Sequence, residues 1–553
     1  MFAVDPVLVQ RLVVVLTLVG SLCAVVALDA RRSALAAVLR RRLILGVPWG
    51  TLLTVAGVLS VYLFVQGGVS NWARPATIPF RAWSYLYPLG VVTAAFSHNG
   101  PSHLVNNLVG TLALAPLVEY AWGHYPRERG AHSFGSLREN PYARLLAVPV
   151  AAVLVGILTA IVAVGPVIGF SGVVFAFAGV GLAVYPIRTV VALAVARVGS
   201  LAAAALQSPV TVARAEPTFA SPWWADVAIQ GHAVGLLVGI LIGVWIGRRG
   251  LVDRPSSLRT YAGVVLFGVG QSLWAVYWFR GEGEFVLYRA LGLALVTILG
   301  LIVAWSVAGS GRPLVGSGSA GESLQSLPRW QAASAALLIV FAALSGPGVA
   351  VNLATTGDDP LSGDTVTVRD YEVAYAENTE NGMVSVVDVE AFSETTRVNT
   401  SGVIVRSEKR HTWLRAVPKS RLAFSGRAVV RIGGLGWQDR VLVGREGWNA
   451  AGGDRTYQIT FSHDNTTQVV YRAPSANSSA TIDGRNVSIH AAPPKFRVAV
   501  TYDNRTRSAP MPPENATTSV WGLQFSRDGR DLIATRNETR VVVAREERYP
   551  GAN

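Results

Sequence analysis

The feature that most constrains the fold of this chain is a series of long apolar segments in its first two thirds. A helix of about 20 mostly apolar residues is long enough to cross the ~30 Å hydrocarbon core of a bilayer. Only 15% of the 553 residues are charged, which also favours a membrane protein over a soluble one. The sequence therefore predicts a polytopic α-helical membrane protein. Its ten candidate helices are 7–28, 43–66, 99–122, 143–165, 170–187, 189–206, 228–247, 259–279, 288–309 and 331–351.

The basic residues indicate how the chain is threaded through the membrane. Residues 1–351 hold 23 Lys and Arg against 11 Asp and Glu, so most of the net charge of +14 lies in the apolar part. This excess is typical of cytoplasmic loops rather than of a nucleic-acid-binding surface, and no nucleic acid is expected as a partner. Alternate threading places most loop arginines on one side, which is then cytoplasmic, and the chain's N-terminus outside. Only four fall on the other side: Arg74, Arg81, Arg214 and Arg280.

Residues 352–553 differ from the rest in period and composition. Runs such as "TYQITFS" and "FRVAV", separated by Gly, Asn, Asp and Pro, predict an all-β, sandwich-like domain. Ten crossings place this domain outside, on the side that is exposed to the glycosylation machinery, and no asparagine before residue 352 stands in a glycosylation sequon. Chance occurrence of the motif is the alternative explanation. The seven candidate asparagines are Asn399, Asn465, Asn477, Asn486, Asn504, Asn515 and Asn537.

These patterns divide the chain into four parts. Residues 1–42 form an N-terminal transmembrane helix, retained rather than cleaved, and a basic cytoplasmic loop. Residues 43–247 form a core of six transmembrane helices. Residues 248–351 add three more helices with a Gly/Ser-rich cytoplasmic linker, and 352–553 form the β-rich extracytoplasmic domain. The single cysteine, Cys23, excludes both an internal disulfide and a cysteine-based metal site.

Polar side chains in apolar helices are candidates for function because they are costly unless they are satisfied. His103 and Asn107 are four residues apart and share one face of a predicted helix. Ser171 begins another helix between Gly169 and Gly172, where free backbone N–H groups and the helix dipole favour an oxyanion.

A third helix carries a stripe of small residues with a histidine beside its outer end. Glycine recurs at every fourth position from Gly231 through Gly235 to Gly247, and His232 lies next to the first. We expect this stripe to pack on the small face of the helix that Ser171 begins. Such packing would bring His232 close to Ser171, and histidine has a suitable pKa to take a serine proton.

The segments "HNGPSHLVNN", "GFSGVVFAFAG" and "GHAVGLLVG", in this order on separate helices, resemble the signature segments of the rhomboid intramembrane serine proteases. The resemblance covers about residues 43–247. It implies that Ser171 is the nucleophile and His232 the general base. It also implies that His103 and Asn107 stabilise the oxyanion, with His98 as the first histidine of the pattern.

The resemblance also implies a fold, a substrate class and a location. The chain is expected to be a six-helix rhomboid core with about four extra transmembrane helices, using a Ser-His dyad to cleave transmembrane proteins near the outer leaflet. Gly169, Gly172 and Gly235 are expected to support the site. The protein is expected in the plasma membrane with its C-terminal domain outside, its partners being transmembrane substrates and the lipid bilayer. No cofactor or metal is predicted, and the oligomeric state is not indicated.

Other readings of the same residues stay open at this stage. Gly231 stands where the family usually has alanine, and Asp226 lies six residues before His232 instead of four. A catalytically inactive rhomboid-like protein that binds or escorts membrane clients is the main alternative. A metal pair at His98 and His103 lacks the H-E-x-x-H pattern, and a transporter would require paired, broken helices around Arg197.

Overall fold

The fold is given by a computed structural model that describes residues 6–28, 37–40, 42–123, 140–210, 218–225, 228–312, 327–357, 360–361, 363–391, 394–493 and 495–551. Asp226, most of the basic loop after the first helix and most of the Gly/Ser-rich linker lie outside these residues. The helices before the β-rich region are α1 (Pro6–Leu28), α2 (Trp49–Ser60), α3 (Pro88–Ala94), α4 (Pro101–Trp122), α5 (Pro141–Val162), α6 (Ser171–Val184), α7 (Pro186–Gln207), α8 (Ile229–Arg248), α9 (Ser257–Gly270), α10 (Arg289–Ala308) and α11 (Arg329–Ala354).

Several of these helices begin at a residue that favours the first position of a helix. Pro101, Pro141 and Pro186 each occupy the first helical position, where the missing N–H has no intrahelical partner to lose. At the start of α5 the side chain of Asn140 also accepts a hydrogen bond from the backbone N–H of Tyr142 at 2.9 Å.

Six helices of the described chain are long and apolar enough to cross a membrane: α4, α5, α7, α8, α10 and α11. Shorter apolar helices are found at Val7–Ser21, Trp49–Val65 and Ser171–Val184. These segments indicate a multi-pass membrane protein. Every predicted window contains a helix, although the window 43–66 becomes helical only at Trp49 and ends in a π-helical turn at Val61–Val65.

The predicted helix at 259–279 is wrong over its last nine residues. α9 ends at Gly270, and the chain then forms a hairpin of β1 (Tyr277–Gly281) and β2 (Glu284–Leu287). The two turn residues Glu282 and Gly283 both have positive φ, at 46° and 90°, as the commonest two-residue hairpin turn requires. Aromatic residues of the hairpin made it apolar enough to resemble a helix end.

Helix α6 lies at the centre of the bundle, and its close partner is α8. A Cβ added at Gly235 would lie 2.0 Å from the carbonyl oxygen of Gly172, and one at Gly239 would lie 2.0 Å from that of Ala176. A real Cβ could not lie so close to an oxygen, so the two helices approach this closely only because α8 has glycine at these positions. The small-residue stripes predicted on the two helices therefore do pack together.

The C-terminal region is β-rich, as predicted, with strands paired antiparallel throughout. One sheet has the order β3-β4-β7-β8, a second β12-β11-β10-β20-β19-β18-β17 with β9 also on β10, and a third β13-β14-β15-β16. The strands are β3 (Thr365–Val368), β4 (Tyr371–Glu380), β5 (Glu390–Ala391), β6 (Glu394–Thr395), β7 (Asn399–Ser407), β8 (Thr412–Pro418), β9 (Arg427–Gly434), β10 (Trp437–Ala450), β11 (Arg455–His463), β12 (Thr466–Arg472), β13 (Ala476–Ile482), β14 (Arg485–Ala492), β15 (Lys495–Tyr502), β16 (Arg505–Pro510), β17 (Thr517–Val520), β18 (Leu523–Asp528), β19 (Asp531–Arg536) and β20 (Thr539–Glu546).

The strands enclose two hydrophobic cores rather than the one core of a simple sandwich. The first core includes Val405 and Phe461, and the second includes Ile489 and Phe525. Strand β10 is 14 residues long and contributes Val443 to the first core and Trp448 to the second. The long strand therefore joins the two halves of the region.

The first of these cores also takes in part of the membrane region. Ile78 and Trp83, from the loop between α2 and α3, are buried in it. Beside them Arg410 donates to Asp370 at 2.6 Å and to the hydroxyl of Tyr87 at 2.7 Å. The β-rich region is thus packed on the loop that precedes the candidate site.

Candidate active site

Ser171 is the first residue of α6, an apolar helix that is shorter than the helices able to cross a membrane. α6 has 14 residues. At about 1.5 Å per residue it spans about 21 Å, roughly 9 Å less than the hydrocarbon core. α7 follows directly after α6, so a membrane surface at this junction would leave Ser171 short of the opposite surface. The N–H groups of Ser171 and Gly172, in the first helical turn, have no backbone acceptor in the described chain.

The loop before Ser171 is shaped by Gly169. This residue has a φ of 126°, and its N–H donates to the carbonyl of Ala94 at 2.9 Å. A Cβ there would lie 2.4 Å from Cε1 of His103, so glycine allows the imidazole to approach the backbone next to the serine. Gly172 in turn brings α6 close to Thr159 of α5, which a Cβ would meet at 3.1 Å.

His232 lies in the first turn of α8, opposite Ser171. Its ring is stacked on that of Phe175, with centroids 4.2 Å apart and an interplanar angle of 8°. Its Nδ1 is buried and has no hydrogen-bond partner in the described chain. Ser171 and His232 line the same cavity without a hydrogen bond between them, a looseness that is common in catalytic pairs without substrate. Among the described residues, it is the stacking on Phe175 that fixes the plane of the imidazole.

His103 and Asn107 lie on the face of α4 that lines this cavity, together with Ser171 and His232. The cavity has a volume of about 640 Å³. The side chain of Asn107 is buried, and its Nδ2 has no hydrogen-bond partner in the part of the chain that the structure describes. An orphan amide donor costs stability, so its place beside the serine favours a role with a ligand.

His98 supports the site without lining it. The residue is fully buried, and its ring meets that of His103 edge to face, with centroids 5.1 Å apart. Gln66 holds its backbone in both directions. Nε2 of Gln66 donates to the carbonyl of His98 at 2.9 Å, and Oε1 accepts from its N–H at 2.7 Å.

Three further residues that the sequence analysis did not identify hold the site. Gln66 is one of them. Gln230, two residues before His232, accepts from the N–H of Val164 at 2.7 Å, and its Nε2 donates to the carbonyl of Leu344 in α11. Asn352, near the end of α11, donates to the carbonyl of Ala163 at 2.9 Å. All three are amides in or beside apolar windows, a signal that should have drawn attention to them.

The remaining predicted sites are placed as follows. Among the described residues no group of three or more His, Cys, Asp or Glu side chains is arranged to hold a metal ion. Glu119 is buried and caps α2, accepting from the backbone N–H groups of Gly50 at 3.1 Å and Thr51 at 3.0 Å. The seven sequon asparagines are all exposed: Asn399, Asn465, Asn477, Asn486, Asn504, Asn515 and Asn537.

A serine at the start of a short buried helix and a histidine on a glycine-packed neighbour, both lining one cavity of an apolar helix bundle, define a class of polytopic membrane proteins with a Ser-His site. Residues 86–249 match the family model of the Rhomboid domain. The chain therefore contains a rhomboid domain, and this domain includes every residue of the predicted site. No curated protein and no solved structure matched the chain in the corresponding searches.

Proposed function

We propose that the protein is an intramembrane serine endopeptidase that cleaves transmembrane substrates near the outer leaflet. One observation carries the proposal: Ser171, His232, His103 and Asn107 all open onto one cavity, in which the Asn107 amide has no partner. A rhomboid domain without this constellation would support only the family, whereas the constellation supports the chemistry.

In the proposed reaction, the hydroxyl of Ser171 attacks a substrate peptide carbonyl while His232 takes the serine proton. The backbone N–H of Ser171 and the side chains of His103 and Asn107 stabilise the oxyanion of the tetrahedral intermediate. His232 then gives the proton to the leaving amine, and a water molecule hydrolyses the acyl-enzyme. No residue that lines the cavity in the described chain is acidic, so the site works as a dyad whose histidine is oriented by Phe175.

The substrate helix is proposed to enter from the lipid between α4 and α7. A groove of about 840 Å³ separates these helices and is lined by residues of both, among them Val105 and Ala203. The groove and the active-site cavity share Asn106 and Ser200. A transmembrane segment lying in the groove can therefore reach Ser171 without crossing the protein.

The alternative is an inactive rhomboid-like protein that binds or escorts membrane clients, which would require no Ser171–His232 hydrogen bond. Labelling of purified protein with a fluorophosphonate separates the two. The protease predicts labelling of the wild type, none of Ser171→Ala, and loss of reporter cleavage by several orders of magnitude in both Ser171→Ala and His232→Ala. Unlabelled wild type, or cleavage by Ser171→Ala, would reject the proposal.

The proposed location is the plasma membrane, with the β-rich region and the active-site mouth both outside. The contacts of Ile78 and Trp83 with the β-rich region support a common side for the two. We propose that the seven exposed sequons carry glycans and that the region shields or presents substrate ectodomains. Protease added to intact cells should then digest the β-rich region. Resistance of this region to digestion would mean that the proposed topology of the chain is wrong.

A further inference from the structure

Arg197 is a charged residue in the middle of α7, the helix that borders the proposed substrate entrance. Its guanidinium donates to the carbonyl of Gly270 at 2.7 Å, and it forms no ion pair within the described chain. Arginine within a membrane helix is costly and is usually retained where it faces a polar cavity or a ligand. Arg197 lines the same cavity as Ser171 and His232.

The depth of Arg197 matches that of the serine. α6 ends at Val184 and α7 begins at Pro186, so the two helices share an inner level. Arg197 is eleven residues along α7 and Ser171 thirteen residues back along α6, which correspond to about 16 Å and about 20 Å from that level. The long arginine side chain covers this difference. Its acceptor, Gly270, is likewise thirteen residues from the inner start of α9, at about the same 20 Å.

Among the described residues, the charged side chains that line the cavity are arginines. Arg81 and Arg197 both line it, whereas none of its lining residues in the described chain is acidic. Arg81 already donates to Oδ1 of Asn99 at 2.9 Å and to the carbonyl of Pro166 at 3.4 Å. Arg197 has one neutral acceptor for its five N–H donors, fewer than Arg81, although the Nε of Arg81 is also buried without a partner in the described chain.

We propose that Arg197 forms a carboxylate-binding subsite beside the dyad, so that the protein prefers transmembrane segments with an Asp or Glu side chain close to the scissile bond. This inference rests on the proposed endopeptidase function and names its substrate class. A buried carboxylate pairs with a guanidinium through charge-assisted hydrogen bonds. Such hydrogen bonds are about twice as strong as neutral ones, so the pair offsets part of the cost of carrying an acidic residue into the cavity.

A lipid phosphate is a poorer fit for this position. Gln207, the last residue of α7, is ten residues beyond Arg197, so the arginine lies about 15 Å along the helix from its outer end. Its hydrogen bond to Gly270 also directs the guanidinium towards α9. Headgroup phosphates lie outside the hydrocarbon core, which leaves a substrate side chain as the anion for this depth.

The test uses the full-length protein in nanodiscs and paired transmembrane reporters that differ only in Asp against Asn, or Glu against Gln, at each position flanking the cleaved bond. We expect wild type to cleave one acidic reporter about tenfold faster, measured as kcat/KM, than its amide pair. Arg197→Gln should reduce this ratio to about one while still cleaving the amide reporter. Arg197→Lys should keep part of the preference, and Arg197→Glu should prefer a lysine reporter.

Arg188→Gln is the matched control, since Arg188 is on the same helix but stacks on Tyr185 and does not line the cavity. It should keep the wild-type ratio. Equal ratios in wild type and Arg197→Gln would overturn the subsite. Asp226 precedes the cavity-lining Ala228 by two residues and lies outside the described residues. An acidic preference that appears only in Asp226→Asn would make Asp226 the partner of Arg197 and would also overturn it.

Failure of the proposed function gives a different result. If no variant cleaves any reporter or takes a fluorophosphonate label, the endopeptidase proposal fails. The subsite is then tested by binding of the same acidic and amide peptides to the Ser171→Ala protein. Tighter binding of the acidic peptide that is lost in Ser171→Ala/Arg197→Gln supports the subsite, and equal binding rejects it.

Discussion

At the scale of single residues, three residues that line the cavity carry a buried nitrogen without a partner in the described chain: His232, Asn107 and Arg81. Nδ1 of His232 and Nδ2 of Asn107 lie buried without a hydrogen bond in the described chain. An orphan of this kind costs about 1–3 kcal/mol. A substrate carbonyl oxygen would accept the missing hydrogen bond from the Asn107 amide. The amide would then stabilise the oxyanion in the transition state, whereas in the resting protein it has no acceptor.

Replacing Asn107 by alanine tests this directly. Loss of one oxyanion donor typically slows turnover by ~10²–10³. We expect Asn107→Ala to lower kcat for a transmembrane reporter by that factor while Ser171 is still labelled by fluorophosphonate to some degree. Asn140→Ala is the control, because it removes only the cap of α5, at a cost of about 1 kcal/mol in stability. An unchanged rate would leave Asn107 as a helix-packing residue.

At the scale of elements, the contact of α6 with α8 holds Ser171 and His232 on facing helices. Backbone touches backbone along this contact, since added Cβ atoms at Gly235 and Gly239 would meet carbonyl oxygens at 2.0 Å. In a membrane, where apolar side chains gain little by leaving lipid, close van der Waals packing is a main source of helix association. The glycines therefore allow the two helices to pack closely enough to hold Ser171 and His232 near each other.

Gly235→Ala should separate the two helices. The new methyl group has only backbone of Gly172 against it, so we expect a loss of about 1–3 kcal/mol in the free energy of unfolding and a loss of cleavage. Two glycines of the same helix are controls, because a Cβ at Gly231 meets nothing within 4 Å and one at Gly247 approaches only Arg254, at 3.9 Å. Thermal unfolding measures the loss of stability, and reporter cleavage measures the loss of activity. Equal effects of Gly231→Ala and Gly235→Ala would contradict the packing argument.

The same scale shows what the sequence could predict. The placement of Ser171 and His232 on facing helices and the packing of the glycine stripes were predictable, because rare polar and small residues in apolar windows carry position and period together. The hairpin at Tyr277–Leu287 was missed because Trp278, Phe279 and Phe285 are as apolar as a helix end, although "RGEGE" is a turn signal. Gln230 and Asn352 were missed because their partners are backbone carbonyls of helices far away in sequence.

At the scale of the whole molecule, the β-rich region is part of the scaffold of the site as well as an appendage. Ile78 and Trp83 complete its first core, and Nε2 of Gln438 donates to the carbonyl of Gln66 at 3.1 Å. Gln66 itself holds His98. The chain of contacts from the β-rich region to His98 could not be predicted from the sequence, because it joins residues more than 300 positions apart.

Truncation after Gly357 tests this support. The cut keeps Asn352 and Thr355, which bind the carbonyl of Ala163 and the hydroxyl of Ser84, so the membrane bundle stays intact. The loop residues Ile78 and Trp83 would lose their partners. We expect slower fluorophosphonate labelling of Ser171 and a lower unfolding temperature than in the full-length protein. Wild-type labelling by the truncated chain would show that the β-rich region only presents substrates or anchors the protein.

The ion pair of Arg410 and Asp370 makes the attachment of the β-rich region sensitive to acid. Burial raises the pKa of the Asp370 carboxyl, but the hydrogen bonds and charge of Arg410 outweigh it and hold that pKa below its ordinary value. A carboxyl with a lowered folded-state pKa stabilises the fold above the unfolded pKa of about 3.9 and loses this effect as the pH falls through the folded value. We expect the unfolding temperature to fall steeply below about pH 4 in wild type and less steeply in Asp370→Asn.

Arg410→Ala leaves the carboxylate of this buried ion pair without its cation, and it should lower the free energy of unfolding by about 3 kcal/mol at neutral pH. Arg540→Ala, from the exposed pair with Asp528 at 3.2 Å, should cost under about 1 kcal/mol. Identical pH profiles for wild type and Asp370→Asn would place the acid-sensitive carboxylates elsewhere in the molecule.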